Sequence, residues 1–269
     1  MQQDTVRWAE LPSGVRLSYV STGPASATPV VLLHAWGESR GSFDRVVPLV
    51  ATASHVFAVD QRGHGDADRP TAGYSLATLA DDVVAFMDAV AVPSAVLVGS
   101  SSGGYVAQQV AAGRPDRVAG LVLVGAPRSL QGRPAFADEI DRLSDPVDAA
   151  WVRDSLAWFP TYHPVPQRYV DDRVRDGARL PAHVWRASFH GLCDATPPTD
   201  VATITAPTLV LWGERDELVT RGDAERLAAA IRGARLVVYE DTGHLVLWEQ
   251  PERVAGDVTA FLETLTASA

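Results

Sequence analysis

Three short runs hold the residue types that covalent chemistry needs. Gly99-Ser100-Ser101-Ser102-Gly103-Gly104 offers hydroxyls, Asp241-Thr242-Gly243-His244 offers an imidazole, and Trp212-Gly213-Glu214-Arg215-Asp216 offers two carboxylates. A serine hydroxyl is a weak nucleophile until a base takes its proton, and the base works best when a carboxylate fixes its tautomer. The three runs together could therefore carry out acyl transfer through a serine nucleophile. Three adjacent serines make the nucleophile a question of register. A sharp strand-to-helix turn reads G-x-S-x-G, with glycine two residues before and two after the nucleophile. Only Ser101 has both, in Gly99 and Gly103; Ser100 would need glycine in place of Val98, and Ser102 would need it in place of Ser100. A Cβ at either flank of so tight a turn would collide with the neighbouring strand or helix. The run is neither a dinucleotide loop, G-x-G-x-x-G, nor a phosphate loop ending in Gly-Lys-Ser/Thr.

Seven histidines compete for the role of base: His34, His55, His64, His163, His183, His190 and His244. His244 alone lies in a loop directly after the last predicted strand, on the side of the sheet where Ser101 emerges. Asp216 follows another predicted strand and is the expected orienting acid, with Glu214 as its rival. The chain order Ser101, Asp216, His244 is that of a nucleophile-elbow hydrolase. The loop His34-Ala35-Trp36-Gly37-Glu38-Ser39 also follows a strand. Its Trp36 N–H and the Ser102 N–H are the candidates for an oxyanion hole. His34 is expected to bond locally and shape that loop.

The elements that must position these groups alternate. Apolar runs bounded by turn residues predict strands at 5–11 and 15–22, split by Pro12-Ser13-Gly14, then at 29–34, 55–60, 94–100, 118–124, 207–212 and 234–240. Helical patterns fall at 75–90, with Leu76, Leu79, Val83, Phe86 and Val90 on one face, and at 102–112, 222–232 and 251–265. The runs at 29–34, 55–60 and 94–100 are apolar enough to suit strands covered on both faces. The expected fold class is α/β, a doubly wound, mostly parallel sheet. The rhythm breaks between 128 and 200, which is rich in proline and aromatics. Residues 1–127 and 201–269 are expected to form the core domain and 128–200 a helical lid over the C-terminal edge of the sheet. Within the lid, Trp151, Trp158, Phe159, Tyr162, Trp185 and Phe189 are candidate substrate-binding residues.

Composition sets the outer limits. The chain has 269 residues, 46% of them hydrophobic, enough for one large domain. The formal net charge is −10 and no long Lys/Arg run occurs, so nucleic acid is a poor candidate partner. No apolar segment is long enough to span a bilayer, and no membrane partner is expected. The single cysteine, Cys193, excludes an internal disulfide and a Cys-rich metal site, and reads as a small buried hydrophobe. Residues 1–5 lack a secretory pattern, so the expectation is a cytoplasmic protein with a small-molecule substrate. Self-association into a homo-oligomer is left open.

The chain resembles the α/β-hydrolase superfamily over nearly its whole length. The residues that carry the resemblance are HAWG at 34–37, DQRGHG at 60–65, the GSSSG elbow, WGERD, and DTGHLVLWEQPERV from Asp241. The resemblance implies a triad of Ser101, Asp216 and His244, no cofactor, and a lid between the sixth and seventh strands. DQRGHG looks like the family's structural turn beside the site. Two positions depart from the common pattern. Ala35 stands where many members have Gly, and Ser102 where many have Met, Leu or Gln, which puts an extra hydroxyl beside the oxyanion. Epoxide hydrolases and haloalkane dehalogenases of this fold carry Asp at the elbow, so serine favours acyl chemistry. The short loop and small lid are also similar to cofactor-free haloperoxidases (perhydrolases) and to lactonases that open large resorcylic lactones. The latter often use a Glu after the sixth strand, which is absent here. The expected activity is hydrolysis of a carboxylic ester or lactone through an acyl-enzyme. The alternatives are carbon–carbon bond hydrolysis or perhydrolysis with the same triad, and a hydrolase-fold ligand receptor with little turnover.

Overall fold

Side chains alternate across a strand, so an all-apolar strand must be covered on both faces. In the computed structural model, which describes residues 5–132 and 134–267, such strands form the centre of one eight-stranded sheet. Residues 1–4 of the N-terminal stretch read above lie outside the described residues. β1 (Arg7–Glu10) and β2 (Arg16–Thr22) form an antiparallel hairpin, and β2 runs antiparallel to β4 (His55–Val59). β3 (Pro29–Leu33), β4, β5 (Ala95–Ser100), β6 (Val118–Val124), β7 (Thr208–Gly213) and β8 (Arg235–Tyr239) are parallel, and the order is β1-β2-β4-β3-β5-β6-β7-β8. Each predicted strand is present, its ends within two residues of expectation.

The pleat divides the core in two. Val31, Leu33, Leu97, Leu121 and Leu123 face one layer, with α2 (Leu76–Ala89) and α3 (Ser102–Gly113). Val30, Leu32, Val96, Val98, Val122 and Val124 face the other, with α1 (Val47–Val50) and the terminal helix α11 (Pro251–Thr266). Helix α2 starts where Ser75 accepts a hydrogen bond from the Thr78 N–H, and it buries Leu76, Leu79, Val83 and Phe86 as its periodicity predicts.

Between β6 and β7 the chain forms α4 (Ala137–Asp141), α5 (Ala149–Ser155), α6 (Gln167–Ala178), α7 (Ala182–Cys193) and α8 (Pro198–Val201). Tyr74, Val152, Val174, Val184 and Trp185 belong to a separate apolar cluster that joins this segment to the core. Helix α9 (Arg221–Ala230) opens on a capping box of Thr220 and Asp223, and α10 (Val246–Glu249) precedes α11. The DQRGHG turn is organised by the buried Asp60. Its carboxylate accepts from Ser18 Oγ at 2.7 Å, the Arg40 N–H at 2.7 Å and the Asp66 N–H at 3.0 Å, and pairs with the Arg40 guanidinium. Gly65 is required there, because a Cβ would run into that carboxylate. Among the described residues no helix is long and apolar enough to cross a membrane.

Candidate active site

Ser101 directly follows β5 and is the N-cap of α3, with φ +47° and ψ −118°, a conformation non-glycine residues rarely adopt. The flanking glycines are a steric necessity. A Cβ on Gly99 would strike the Gly104 backbone, and one on Gly103 would strike the carbonyls of Leu33 and His34. The turn lifts the hydroxyl of Ser101 above the sheet, where it lies 3.0 Å from His244 Nε2.

His244 follows β8, and its Nδ1 lies 2.7 Å from Asp216 Oδ2. The Asp216 carboxylate is an acceptor, so Nδ1 carries the hydrogen and Nε2 is free to take the serine proton. The other Asp216 oxygen accepts from the Leu218 and Val219 N–H groups, each at 2.9 Å. Asp216 is buried, whereas Glu214 is exposed and accepts only a long bond from the Asp241 N–H. Geometry therefore separates the two acids that the sequence left as rivals.

The remaining histidines bond elsewhere. His34 donates from Nδ1 to the Ala35 carbonyl and accepts from the Gln61 N–H at Nε2, shaping the loop as expected. Burial holds it well below its ordinary pKa, and His64, also buried, down to about 4. His55 meets Ser21, His163 meets Gln250, His183 meets the Pro70 carbonyl, and His190 meets Asp141.

Two N–H groups approach the space beside Ser101. The Ser102 N–H is among the first of α3, which no helical carbonyl can reach. The Trp36 N–H, from the loop after β3, donates to Ser102 Oγ at 2.7 Å. A cavity of about 410 Å³ opens above them. Trp36, Trp158, Phe159, Trp185 and Phe189 line it, as do Ser101, Ser102 and His244. Trp151 and Tyr162 are not among its lining residues. Trp151 stands behind the wall, its ring edge-on to Trp158 at 5.9 Å and to Trp185 at 5.4 Å. Tyr162 is 43% exposed and carries the Arg215 guanidinium 5.4 Å from its ring centre.

A sequence model of the alpha/beta hydrolase fold matches residues 28–251. The chain belongs to the α/β-hydrolase fold family. It is 31% identical to a non-heme chloroperoxidase of Streptomyces lividans, over 93% of this chain and 97% of that one. A hydrolase from Pseudomonas aeruginosa PA01 superposes with a TM-score of 0.86 at 28% identity, over 97% of this chain and 99% of that chain. An esterase from Rhodococcus sp. ECU1013 superposes with a TM-score of 0.83 at 26% identity, over 97% and 99%.

Several groups around the site of this α/β-hydrolase were not singled out from sequence. Phe136 stacks on Trp158 at 4.5 Å and completes the aromatic wall. Glu38 and Arg173 give the cavity a polar corner, where Glu38 accepts from Ser42 Oγ at 2.5 Å and burial raises its carboxyl above the usual range. Glu249 is buried, and its carboxylate accepts the N–H groups of Gly243, Tyr162 and His163 at 2.7–2.9 Å. The segment after β6 is fastened to the loop that follows β3. Ser39 Oγ donates to Asp176 at 2.6 Å, Tyr169 donates to the Ser42 carbonyl at 2.6 Å, and the Trp36 indole donates to the Trp185 carbonyl at 3.2 Å. A lone Glu or Tyr in an irregular segment carries no spacing signal that would reveal such bonds. Among the described residues no group of three or more His, Cys, Asp or Glu is gathered to hold a metal ion.

Proposed function

We propose that this α/β-hydrolase cleaves a carboxylic ester or lactone through a Ser101 acyl-enzyme. The observation that carries the reading is the unbroken chain Asp216–His244–Ser101, with contacts of 2.7 and 3.0 Å, opening into an apolar cavity. Ser101 Oγ attacks the carbonyl carbon while His244 Nε2 takes its proton. The carbonyl electron pair moves to oxygen, where N–H donors stabilise it. Collapse expels the alcohol, which takes the proton from His244. Water, activated by the same imidazole, then releases the acid. Residues 128–200 act as the lid domain over a core of 1–127 and 201–269. The aromatic wall from that segment selects substrates with an apolar acyl or alcohol part.

A second reading is favoured by the resemblance to a protein named as a chloroperoxidase. If hydrogen peroxide replaces water on the same acyl-enzyme, the product is a peracid, with no change in the residues used. The test is turnover of p-nitrophenyl esters and lactones by the wild type and Ser101→Ala, together with labelling by a serine-directed fluorophosphonate. The alanine variant is expected to lose both label and turnover. Hydrolysis near the wild-type rate in that variant rules the assignment out, and peracid formation with added peroxide decides between the two readings.

A further inference from the structure

The Ser102 hydroxyl lies in an unusual place. Its Oγ is 2.7 Å from the Trp36 nitrogen, along the N–H that the hydrolytic reading assigns to the oxyanion. The side chain is buried, 7% exposed, and lines the active-site cavity beside Ser101. A hydroxyl accepts through its lone pairs and donates its single hydrogen. The Trp36 N–H occupies a lone pair. Among the described residues no acceptor takes the Ser102 O–H. A helical serine commonly spends that hydrogen on the carbonyl four residues back. Here that residue is Val98, in β5, whose ladder runs on to Ser100. The hydrogen is therefore left for whatever enters the cavity.

We propose that the Ser102 hydroxyl is itself an oxyanion donor, held in place by the Trp36 N–H and presenting its own hydrogen to the substrate oxygen. The inference rests on the serine-hydrolase reading above and extends it. As Ser101 Oγ bonds to the carbonyl carbon, the π pair moves to the oxygen. The Ser102 N–H and O–H both point at that oxygen from one residue. No proton leaves Ser102; it donates a hydrogen bond that strengthens as charge develops. Accepting from Trp36 polarises the hydroxyl and makes it a better donor. The Trp36 N–H then acts through the hydroxyl, which explains how a hole whose second N–H is already engaged remains competent. The opposite role for the same contact is a stopper, in which Oγ fills the hole and must be displaced before attack.

The experiment compares the full-length wild type with Ser102→Ala, Ser102→Cys and Ser102→Thr in steady-state hydrolysis of p-nitrophenyl butyrate. It also measures inhibition by a trifluoromethyl ketone, which adds to the serine as a tetrahedral adduct. The alanine variant removes the donor, the cysteine variant keeps the size but donates weakly, and the threonine variant keeps the hydroxyl. Ser102, Val106 and Leu192 border a small void beside the site. Loss of an oxyanion donor is expected to lower kcat about 100- to 1000-fold in the alanine and cysteine variants. KM should stay nearly unchanged, and trifluoromethyl ketone affinity should fall in step with kcat. Threonine should recover most of the rate. Fluorophosphonate labelling at full stoichiometry establishes that each variant is folded with Ser101 reactive. An alanine variant as fast as the wild type, or faster as a stopper would require, overturns the proposal, as does a loss confined to KM. A wild type that neither hydrolyses esters nor takes the label brings down the serine-hydrolase reading, and this inference with it.

Discussion

Ser101 is held at a positive φ with no glycine to relieve it, and the cost is borne by the packing around the turn. Gly99 and Gly103 let strand and helix approach within contact of the backbone, so adding a methyl at either should destabilise the fold before it affects chemistry. Asp216 acts differently. Its Oδ1 is satisfied by two backbone N–H groups and its Oδ2 by His244 alone. Replacing it by Asn leaves the shape intact and presents an amide donor where the Nδ1–H needs an acceptor, favouring the wrong tautomer. Asp216→Asn is expected to lower kcat by about 10⁴ with little change in melting temperature. Steady-state kinetics beside a thermal melt checks this. A variant that retains most of its turnover would transfer the role to Glu214.

At the scale of elements, the site depends on loops that leave the C-terminal ends of β3, β5, β7 and β8 and are tied to one another. Glu249, in α10, is the knot between the His244 loop and the segment after β6, because one buried carboxylate accepts from both. Glu249→Ala would leave three N–H groups without their acceptor. The expected loss is about 3 kcal/mol of stability, together with a fall in kcat as the His244 loop loses its anchor. Glu249→Gln keeps an acceptor oxygen and should recover part of both. Urea unfolding and ester turnover on the two variants decide it, and a Glu249→Ala protein as stable as the wild type contradicts the assignment. The same tying explains why the loop after β3 is ordered. Asp176, Tyr169 and Trp185 hold it from above, while His34 and Gln61 hold it from below.

For the whole molecule, buried imidazoles set the response to acid. His34 and His64 lie with ring centres 5.2 Å apart, both buried, and burial disfavours the proton on each. In the unfolded chain a histidine titrates near 6.5. Below that pH the unfolded state binds protons that the native state refuses, so stability is present at neutral pH and drains away as pH falls from about 6.5 toward 4. The depression of His64 to about 4 corresponds to about 2 kcal/mol lost between pH 7 and about pH 4.5. His64→Asn keeps a donor for the Arg62 carbonyl but cannot titrate. Its unfolding free energy should fall less steeply over that range than the wild type's, and equal slopes would show that His64 does not carry the effect.

Local constraints made much of this protein legible from its residues. Continuous apolar runs placed the central strands, because a strand covered on both faces must be apolar throughout, and the Pro12-Ser13-Gly14 turn placed the first two. The register of Ser101 among three serines followed from which positions tolerate no Cβ. His244 was singled out among seven histidines by its position after the last strand. Contacts between distant segments were not legible. Trp151 and Tyr162 share the composition of their neighbours yet stand outside the cavity wall, because facing in an irregular helical segment is decided by how helices pack, not by spacing. The roles of Glu249 and Phe136 needed three-dimensional proximity for the same reason, whereas Asp216 was already the expected acid and its contact with His244 sets it apart from Glu214. The bond from Trp36 to Ser102 joins residues 66 positions apart. Only the closed fold brings them together, since a hydrogen bond reads distance and direction and the chain between its partners has no say in either.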